Sequence, residues 1–457
     1  MADAHPTEED RYELDKTTVR AIVEAADAGD AAALGALLEP LHAADIADLL
    51  EQVQPDAREA VVRLYGAEFD GEILTEIDEA IREEVIETLE PEVLEEAVRD
   101  LDSDDVVDLI EDLEGPQQEA ILDALEDNDR AVVEQALTYP ELSAGRLMQR
   151  EIVAAPEHWT VGEAIDYLRQ RDDLPEDFYH MILVDPMFRA TGYVTLGKIL
   201  GHPRDEALSS ITEDSFRTIE VTEDESEVAY AFNQYHLISA PVVDETGRLV
   251  GVITIDDAMI VLEGEAEEDM LRLAGVGEES SLADRVIATT KRRFPWLAVN
   301  LVTAVLASLV IALFEDAIQQ IVALAVLMPI VASMGGNAGT QSLTVAVRAI
   351  ATKDLTGSNV WRVIRREALV GLINGLAFAL IMGIVGLIWF GSLALGGVIA
   401  AAMVINLLVA GLAGVVIPVV LDRLKIDPAL ASGAFVTTVT DVVGFFAFLG
   451  LAVMVLL

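Results

Sequence analysis

Four stretches in the last 167 residues hold almost no charge, and they constrain the chain more than any other feature. Phe294–Phe314 (21 residues), Ala317–Val347 (31) and Ala368–Leu421 (54) contain no Asp, Glu, Lys or Arg, and Pro428–Leu457 (30) contains only Asp441. About 20 apolar residues cross a bilayer as a helix. The 54-residue run must therefore cross twice, with its break at Gly391-Ser392 or at Gly396-Gly397, and five spans are expected in all. The bases fall in alternate loops. Lys291-Arg292-Arg293 precede the first span, Arg348, Lys353, Arg362, Arg365 and Arg366 separate the second from the third, and Arg423 and Lys425 separate the fourth from the fifth. Positive loops stay inside. A plasma-membrane protein with a cytoplasmic N-terminal part and Leu457 outside is the orientation this predicts.

The two parts of the chain differ sharply in charge. Residues 291–457 hold 7 acids and 10 bases, whereas the first 290 hold 73 acids and 19 bases, and the whole chain carries −51. A nucleic-acid binder is excluded, because phosphate contacts need a basic face. Only 5 of the 29 bases are Lys. That pattern fits a halophilic protein working in concentrated salt, where repulsion is screened within about 3 Å at 1 M; an ordinary acidic domain is the alternative. There is no Cys, so no disulfide or thiolate chemistry is available. Met1-Ala-Asp-Ala-His-Pro has neither a basic n-region nor an apolar run, and no signal peptide is expected.

Two features of the apolar part go beyond packing. Asp441 is the 14th residue of its 30-residue run and lies near mid-membrane. A carboxylate there costs several kcal/mol unless it meets water, a cation or a base, and every base in this part lies near a helix end. A pore or ion-site role is favoured over a buried pair, and the neighbouring Thr437 and Thr440 offer hydroxyls to coordinated water. The second feature is the run from Pro329 through Gly335, Gly336, Asn337 and Gly339 to Gln341. Pro lacks an N–H and the glycines loosen a helix, so this run is expected to free carbonyls at membrane depth, beside hard amide oxygens suited to hydrated cations. A plain packing kink is the competing reading. Mg²⁺ keeps its water and needs few carboxylates, yet one Asp cannot balance a dication. Two chains on a twofold axis would supply two, so a homodimer is expected.

The soluble part divides in two. From about residue 40 to 138, start signals recur at Glu90-Pro91, Asp102-Ser103, Gly115-Pro116 and Asp127-Asn128, predicting stacked short helices. Asp104 and Asp108 are an i, i+4 pair of like charge, unfavourable unless a cation sits between them. Residues 141–262 contain a duplication at an offset of 59. Met181–Asp185 matches Ala240–Asp244, and Gly192–Thr195 matches Gly251–Thr254, each copy reading helix, strand, turn, strand, helix. Gly192 to Lys198 imitates a phosphate-binding loop, but Ile199 replaces its Ser/Thr and the intervening residues read as strand, so ATP hydrolysis is not expected. Asp256–Asp269 then forms an acidic connecting helix, read as interrupted at Gly264, whose carboxylates repel unless cations bridge them; a solvated face is the alternative.

The duplication resembles a tandem pair of CBS modules, with the second copy keeping Gly251, Thr254 and Asp257. Nearly the whole chain resembles the MgtE family of magnesium channels. The most specific likenesses are Met334-Gly-Gly-Asn-Ala-Gly-Thr-Gln341, Asp427-Pro-Ala-Leu-Ala-Ser with Thr440-Asp441, and Tyr139-Pro-Glu-Leu-Ser-Ala-Gly-Arg-Leu-Met148. The implied fold is an all-α superhelical N-domain (1–138), an α/β CBS pair (139–262, copies at about 145–203 and 208–262), a connecting helix (263–290) and a five-span pore domain (291–457). The resemblance implies a homodimer that conducts Mg²⁺ and is closed by cytoplasmic Mg²⁺; no enzyme is expected, because all six His precede residue 291 and the apolar runs hold one Asp. It puts the ion path at Asp441, with Asp427 near the cytoplasmic mouth. Regulatory metal is implied at Asp104, Asp108, Asp257, Glu265, Glu268 and Asp269, and an adenine nucleotide such as ATP at Thr254 and Asp257, unless the modules are empty and structural. The alternatives to a Mg²⁺ channel are a membrane-anchored cation sensor and a carrier of Mn²⁺ or Co²⁺.

Overall fold

The computed structural model describes residues 14–99, 101–111, 113, 115–171, 174–175, 178–213, 216–276, 286–430 and 433–457. The N-terminal segment expected to lack a signal peptide, and 277–285 of the expected connecting segment, lie outside them. The chain divides into two compact units, Met1–Gly264 and Glu265–Leu457.

Among the described residues the first unit opens with ten helices. These are α1 (Lys16–Ala28), α2 (Ala31–Leu38), α3 (Ala43–Gln52), α4 (Pro55–Tyr65), α5 (Glu72–Glu76), α6 (Glu79–Thr88), α7 (Pro91–Arg99), α8 (Ser103–Glu111), α9 (Gly115–Ala124) and α10 (Asp127–Ala136). The last four start at the residues whose signals predict them. Two further helices precede residue 40, with Gly29 closing α1 in the left-handed region (φ 67°) and Asp30 capping α2 by accepting from Ala33 N. Helices this short are marginal alone, so each depends on a buried stripe such as Ile46, Leu49 and Leu50 of α3 or Leu109 and Ile110 of α8. Two buried guanidiniums tie the stack across its steps. Arg58 Nε donates to Leu50 O at 2.7 Å and its Nη1 lies 3.3 Å from Glu84, while Arg82 Nη1 lies 3.2 Å from Asp108.

Beyond α11 (Ala144–Leu147) the chain forms β1 (Ala154–Pro156), α12 (Val161–Gln170), β2 (His180–Val184), β3 (Ala190–Thr195) and α13 (Leu196–Gly201). It then repeats the pattern with β4 (Ile219–Glu220), α14 (Glu225–Tyr235), β5 (Ser239–Val243), β6 (Leu249–Thr254) and α15 (Ile255–Ala274). Each sheet pairs its first strand parallel and its third antiparallel to the middle one. The register repeats at the offset of 59. His180 faces Thr195 as Ser239 faces Thr254, and both ladders shift at the same place, Leu183/Val184 and Val242/Val243. The copies meet at equivalent residues, through a His180 Nδ1 to Ser239 Oγ contact and an Arg189–Arg248 bridge. The apparent phosphate loop is strand β3 and the first turn of α13, with Lys198 Nζ held 3.1 Å from Glu213.

In the second unit, α16 (Val286–Ala312), α18 (Ala323–Ala351), α19 (Val360–Phe390), α20 (Leu393–Arg423) and α21 (Gly433–Leu456) are long and apolar enough to cross a membrane, and the short α17 (Glu315–Gln320) joins the first two. The 54-residue run breaks at Gly391-Ser392. Gly391 adopts φ 63° and Ser392 Oγ accepts from Leu395 N at 3.2 Å. Gly396 lies inside α20 instead, where a Cβ would stand 2.7 Å from Gly383 O of α19. Helix α20 is central: its Ile399, Ala402, Met403 and Leu407 pack with Leu327 and Val331 of α18, Met382 of α19 and Phe448 of α21.

Two expectations about helix breaks are overturned. Helix α18 is continuous through Pro329 and the glycine pair. Apart from the carbonyl that Pro329 leaves without a donor, its backbone bonds stay in the helix, and the glycines serve close packing. Gly264 does not interrupt α15 either. That helix starts at Ile255, before the expected boundary at 263, and ends at Ala274 against Gly275 (φ 70°).

Candidate cation sites

Asp441 is half-buried on α21, and among the described residues it has neither an ion-pair nor a hydrogen-bond partner. No base among the described residues neutralises it. The two threonines serve their own helix: Thr437 Oγ1 donates to Ala434 O (3.1 Å), and Thr440, fully buried, donates to Thr437 O (2.9 Å). On α18 the exposed residues Pro329, Ser333, Asn337, Thr340, Gln341 and Thr344 recur every three or four positions and form one stripe, polar from Ser333 onward. The expected path residues thus separate into two sets. Asn337 and Gln341 belong to this stripe, with Pro329 at its end, whereas Gly335, Gly336 and Gly339 are buried in helix contacts. A Cβ on Gly336 would stand 3.2 Å from Thr437 Cγ2, and one on Gly339 2.5 Å from Val436 Cγ1 and 3.6 Å from Thr440 Cγ2. These contacts run the stripe alongside the turn that carries Asp441.

Asn406 of α20 is a residue the sequence reading missed. It is fully buried, its amide lies between Gly335 of α18 and Gly444 of α21, and Nδ2 donates to Val331 O at 2.7 Å. A Cβ on Gly335 would stand 2.3 Å from that amide nitrogen. Its Oδ1 has no donor among the described residues. An amide inside an uncharged run was the available signal.

Asp427 lies between α20 and α21, where its Oδ1 caps the following turn by accepting from Ala429 N (2.8 Å). The other oxygen meets Arg272 of α15, which also pairs with Glu268. Beside them, burial and then the charge of Asp427 push the Asp269 carboxyl above the usual carboxylate range, with Arg272 opposing. Leu273, the next residue, packs on an apolar cluster of Leu343, Val347, Ala413, Ala429 and Val436. Three of the expected ligands, Glu268, Asp269 and Asp427, therefore gather around a base not singled out from the sequence, while Glu265 is exposed one turn earlier on the same helix.

A second acidic group forms where α8 begins. Ser103 Oγ accepts from Arg150 N (2.8 Å) and donates to Glu151 (2.9 Å), and Gln149 Nε2 donates to Asp102 (3.1 Å). These bonds draw the first turn of α8 toward the second sheet and bury Asp104. Burial first, then the charge of Asp257, pushes the Asp104 carboxyl well above the ordinary value. Asp105 is pushed up to about 7 and Asp257 to about 6, both mainly by burial, with Asp257 acting on Asp105 and Asp256 on Asp257. The expected pair of Asp104 and Asp108 is not formed. Asp108 is exposed and bound to Arg82, and Asp105, missed because it is one position away, is the α8 carboxylate whose charge acts on Asp104. Asp257 also accepts from Thr254 Oγ1 at 2.6 Å, so the two residues assigned to a ribose are bonded to each other. Gly251 is held against Met148, where a Cβ would stand 2.5 Å from its sulfur. Among the described residues no three His, Asp or Glu side chains converge tightly enough to cage an ion.

Known proteins are similar to this chain over its soluble and membrane parts alike. A family profile described as a divalent cation transporter, MgtE, matches residues 328–451, that of the MgtE intracellular N domain matches 41–142, and that of the CBS domain matches 144–205 and 208–264. The magnesium transporter MgtE of Thermus thermophilus is 34% identical over 438 residues, covering 94% of this chain and 96% of that one. This chain belongs to the MgtE family. The MgtE magnesium transporter of Bacillus subtilis is 32% identical over 332 residues, 72% of this chain and 73% of that one. Among solved structures, the cytosolic domain of the Mg²⁺ channel MgtE in complex with ATP matches with 31% identity and a TM-score of 0.50, covering 53% of this chain and 99% of that one. The MgtE family thus accounts for the N-domain, the CBS pair and the five helices of a multi-pass membrane protein.

Proposed function

We propose that this protein conducts Mg²⁺ passively across the membrane as a homodimer, and that cytoplasmic Mg²⁺ binding to its acidic soluble domains closes the path. The observation that carries the reading is Asp441, a carboxylate without a partner among the described residues, nine residues into the 24-residue membrane helix α21 and beside the polar stripe of α18. In lipid both would be costly. A second copy enclosing a water-filled path along α18 and α21 would make both favourable, and two Asp441 carboxylates would balance one hydrated dication. Alternate basic loops favour a cytoplasmic N-terminal part and an external C-terminal end. With no hydrolysis step, the membrane potential supplies the drive, about 4.6 kcal/mol for two charges through 100 mV at roughly 2.3 per charge.

The raised carboxyls of Asp104, Asp105 and Asp257 support the regulatory half of the reading. Burial first, and then mutual repulsion, disfavours their charged forms, and a divalent cation bound there would offset both. Glu265, Glu268, Asp269 and Asp427 offer a second such place. The MgtE-family relative whose cytosolic domain is in complex with ATP supports an adenine nucleotide in the soluble part; at the second CBS copy, which keeps Gly251, Thr254 and Asp257, Thr254 and Asp257 would exchange their mutual bond for the ribose. The acidic, lysine-poor surface supports a cytoplasm of concentrated salt. Growth of uptake-deficient cells tests the core of the reading. The wild-type protein is expected to restore growth at low Mg²⁺ and Asp441→Ala to fail at equal membrane abundance. Rescue by neither would favour a sensor that conducts nothing, and equal rescue by both would remove Asp441 from the path.

A further inference from the structure

The loop between α18 and α19 and the first turns of α19 carry an open cleft of about 600 Å³. One end of it is built by Arg362, Arg365 and Arg366, all exposed. Among the described residues none of the three has a carboxylate within ion-pair reach. The adjacent Glu367 is turned away and accepts from Ser342 Oγ at 3.0 Å. In a chain with 80 acids and 29 bases, three neighbouring guanidiniums without a partner stand out. The other end of the cleft is apolar: Leu369, Val370 and Ile373 continue along the same face of α19 toward the middle of the span, 58%, 41% and 64% exposed. From Arg366 to Ile373 the helix rises roughly 10 Å at 1.5 Å per residue. Trp361, 71% exposed, stands at the charged end, where an interfacial ring belongs.

We infer that this cleft binds an anionic glycerophospholipid of the bilayer. The arginine forks grip the headgroup phosphate, and an acyl chain lies along Leu369, Val370 and Ile373. Charge complementarity selects an anion, and the apolar wall selects one that carries a hydrocarbon tail. A free phosphate ion would use only the first of these.

Native mass spectrometry of the full chain in neutral detergent tests this with phosphatidylglycerol and phosphatidylcholine as probes. Phosphatidylglycerol is expected to bind at least tenfold more tightly. Arg362→Gln, Arg365→Gln and Arg366→Gln combined should bring it to the phosphatidylcholine level, and 10 mM inorganic phosphate should leave it bound. Arg423→Gln with Lys425→Gln, outside the cleft, should change binding less than twofold. Equal retention of the two lipids, an unaffected triple variant, equal loss in the Arg423/Lys425 variant, or displacement by inorganic phosphate would each overturn the assignment. If the triple variant does not fold, Arg366→Gln alone is expected to weaken binding at least threefold, and unchanged affinity contradicts the proposal.

Discussion

Carboxylates without bases are the most informative residues in this protein, and those at the start of α8 respond to protons in a definite direction. Asp105, at about 7, and Asp257, at about 6, bind protons more readily folded than unfolded, as does Asp104. Stability without metal therefore falls as pH climbs from about 4 through about 7. With chelator present, the melting temperature of the soluble unit is expected to be higher at pH 5 than at pH 8. Millimolar Mg²⁺ should remove most of that difference, because metal and proton relieve the same repulsion. A melting temperature that is independent of pH, or higher at pH 8, would contradict the proximity of these groups. Only part of this was legible in the sequence. The choice of Asp104 with Asp108 rested on helical spacing, whereas burial of the first turn of α8 selects Asp104 with Asp105 and leaves Asp108 to Arg82.

Among the elements, the spans were legible because hydrocarbon excludes charge, and the CBS copies because a duplicated strand register leaves a fixed offset in sequence. Choosing between Gly391-Ser392 and Gly396-Gly397 for the break was not possible, since Gly391 serves a left-handed turn and Gly396 a close helix crossing, and both read simply as Gly. Likewise the Pro329–Gln341 run looks like a break until α20 and α21 are packed against it. Asn406 stood out as an amide in an uncharged run, but its role was not legible for the same reason: the amide fits between two glycines of other helices. Gly335→Ala is expected to destabilise the membrane unit by about 1–3 kcal/mol through overpacking against that amide, read as a lower melting temperature in detergent. A melting temperature equal to wild type would mean the three helices are not so closely joined. Arg272 was hidden too, as a lone base in an acidic helix. Its replacement by Gln should loosen α15 from Asp427, read as faster hydrogen exchange at Glu268–Leu273; unchanged exchange would mean the ion pairs do not hold that helix end.

For the molecule as a whole, the charge of −51 and the regulatory reading make separate demands. Self-repulsion in the acidic part should be relieved by salt, so its melting temperature is expected to rise between 0.1 and 2 M KCl; a flat or falling response would remove the case for a salt-rich cytoplasm. Screening also means that shut-off must depend on close groups of carboxylates, not on diffuse attraction. Combining Asp257→Asn with Glu265→Gln should keep flux high at Mg²⁺ levels that silence wild type, and normal silencing would exclude those residues from regulation. The most direct test of the central claim is Mg²⁺ flux into liposomes carrying purified protein, with Asp441→Asn as the comparison. We expect wild-type protein to pass Mg²⁺ down an imposed potential and the variant to pass at least tenfold less at equal incorporation. Equal flux from the two, or none from wild type at low internal Mg²⁺, would contradict a conduction path beside Asp441.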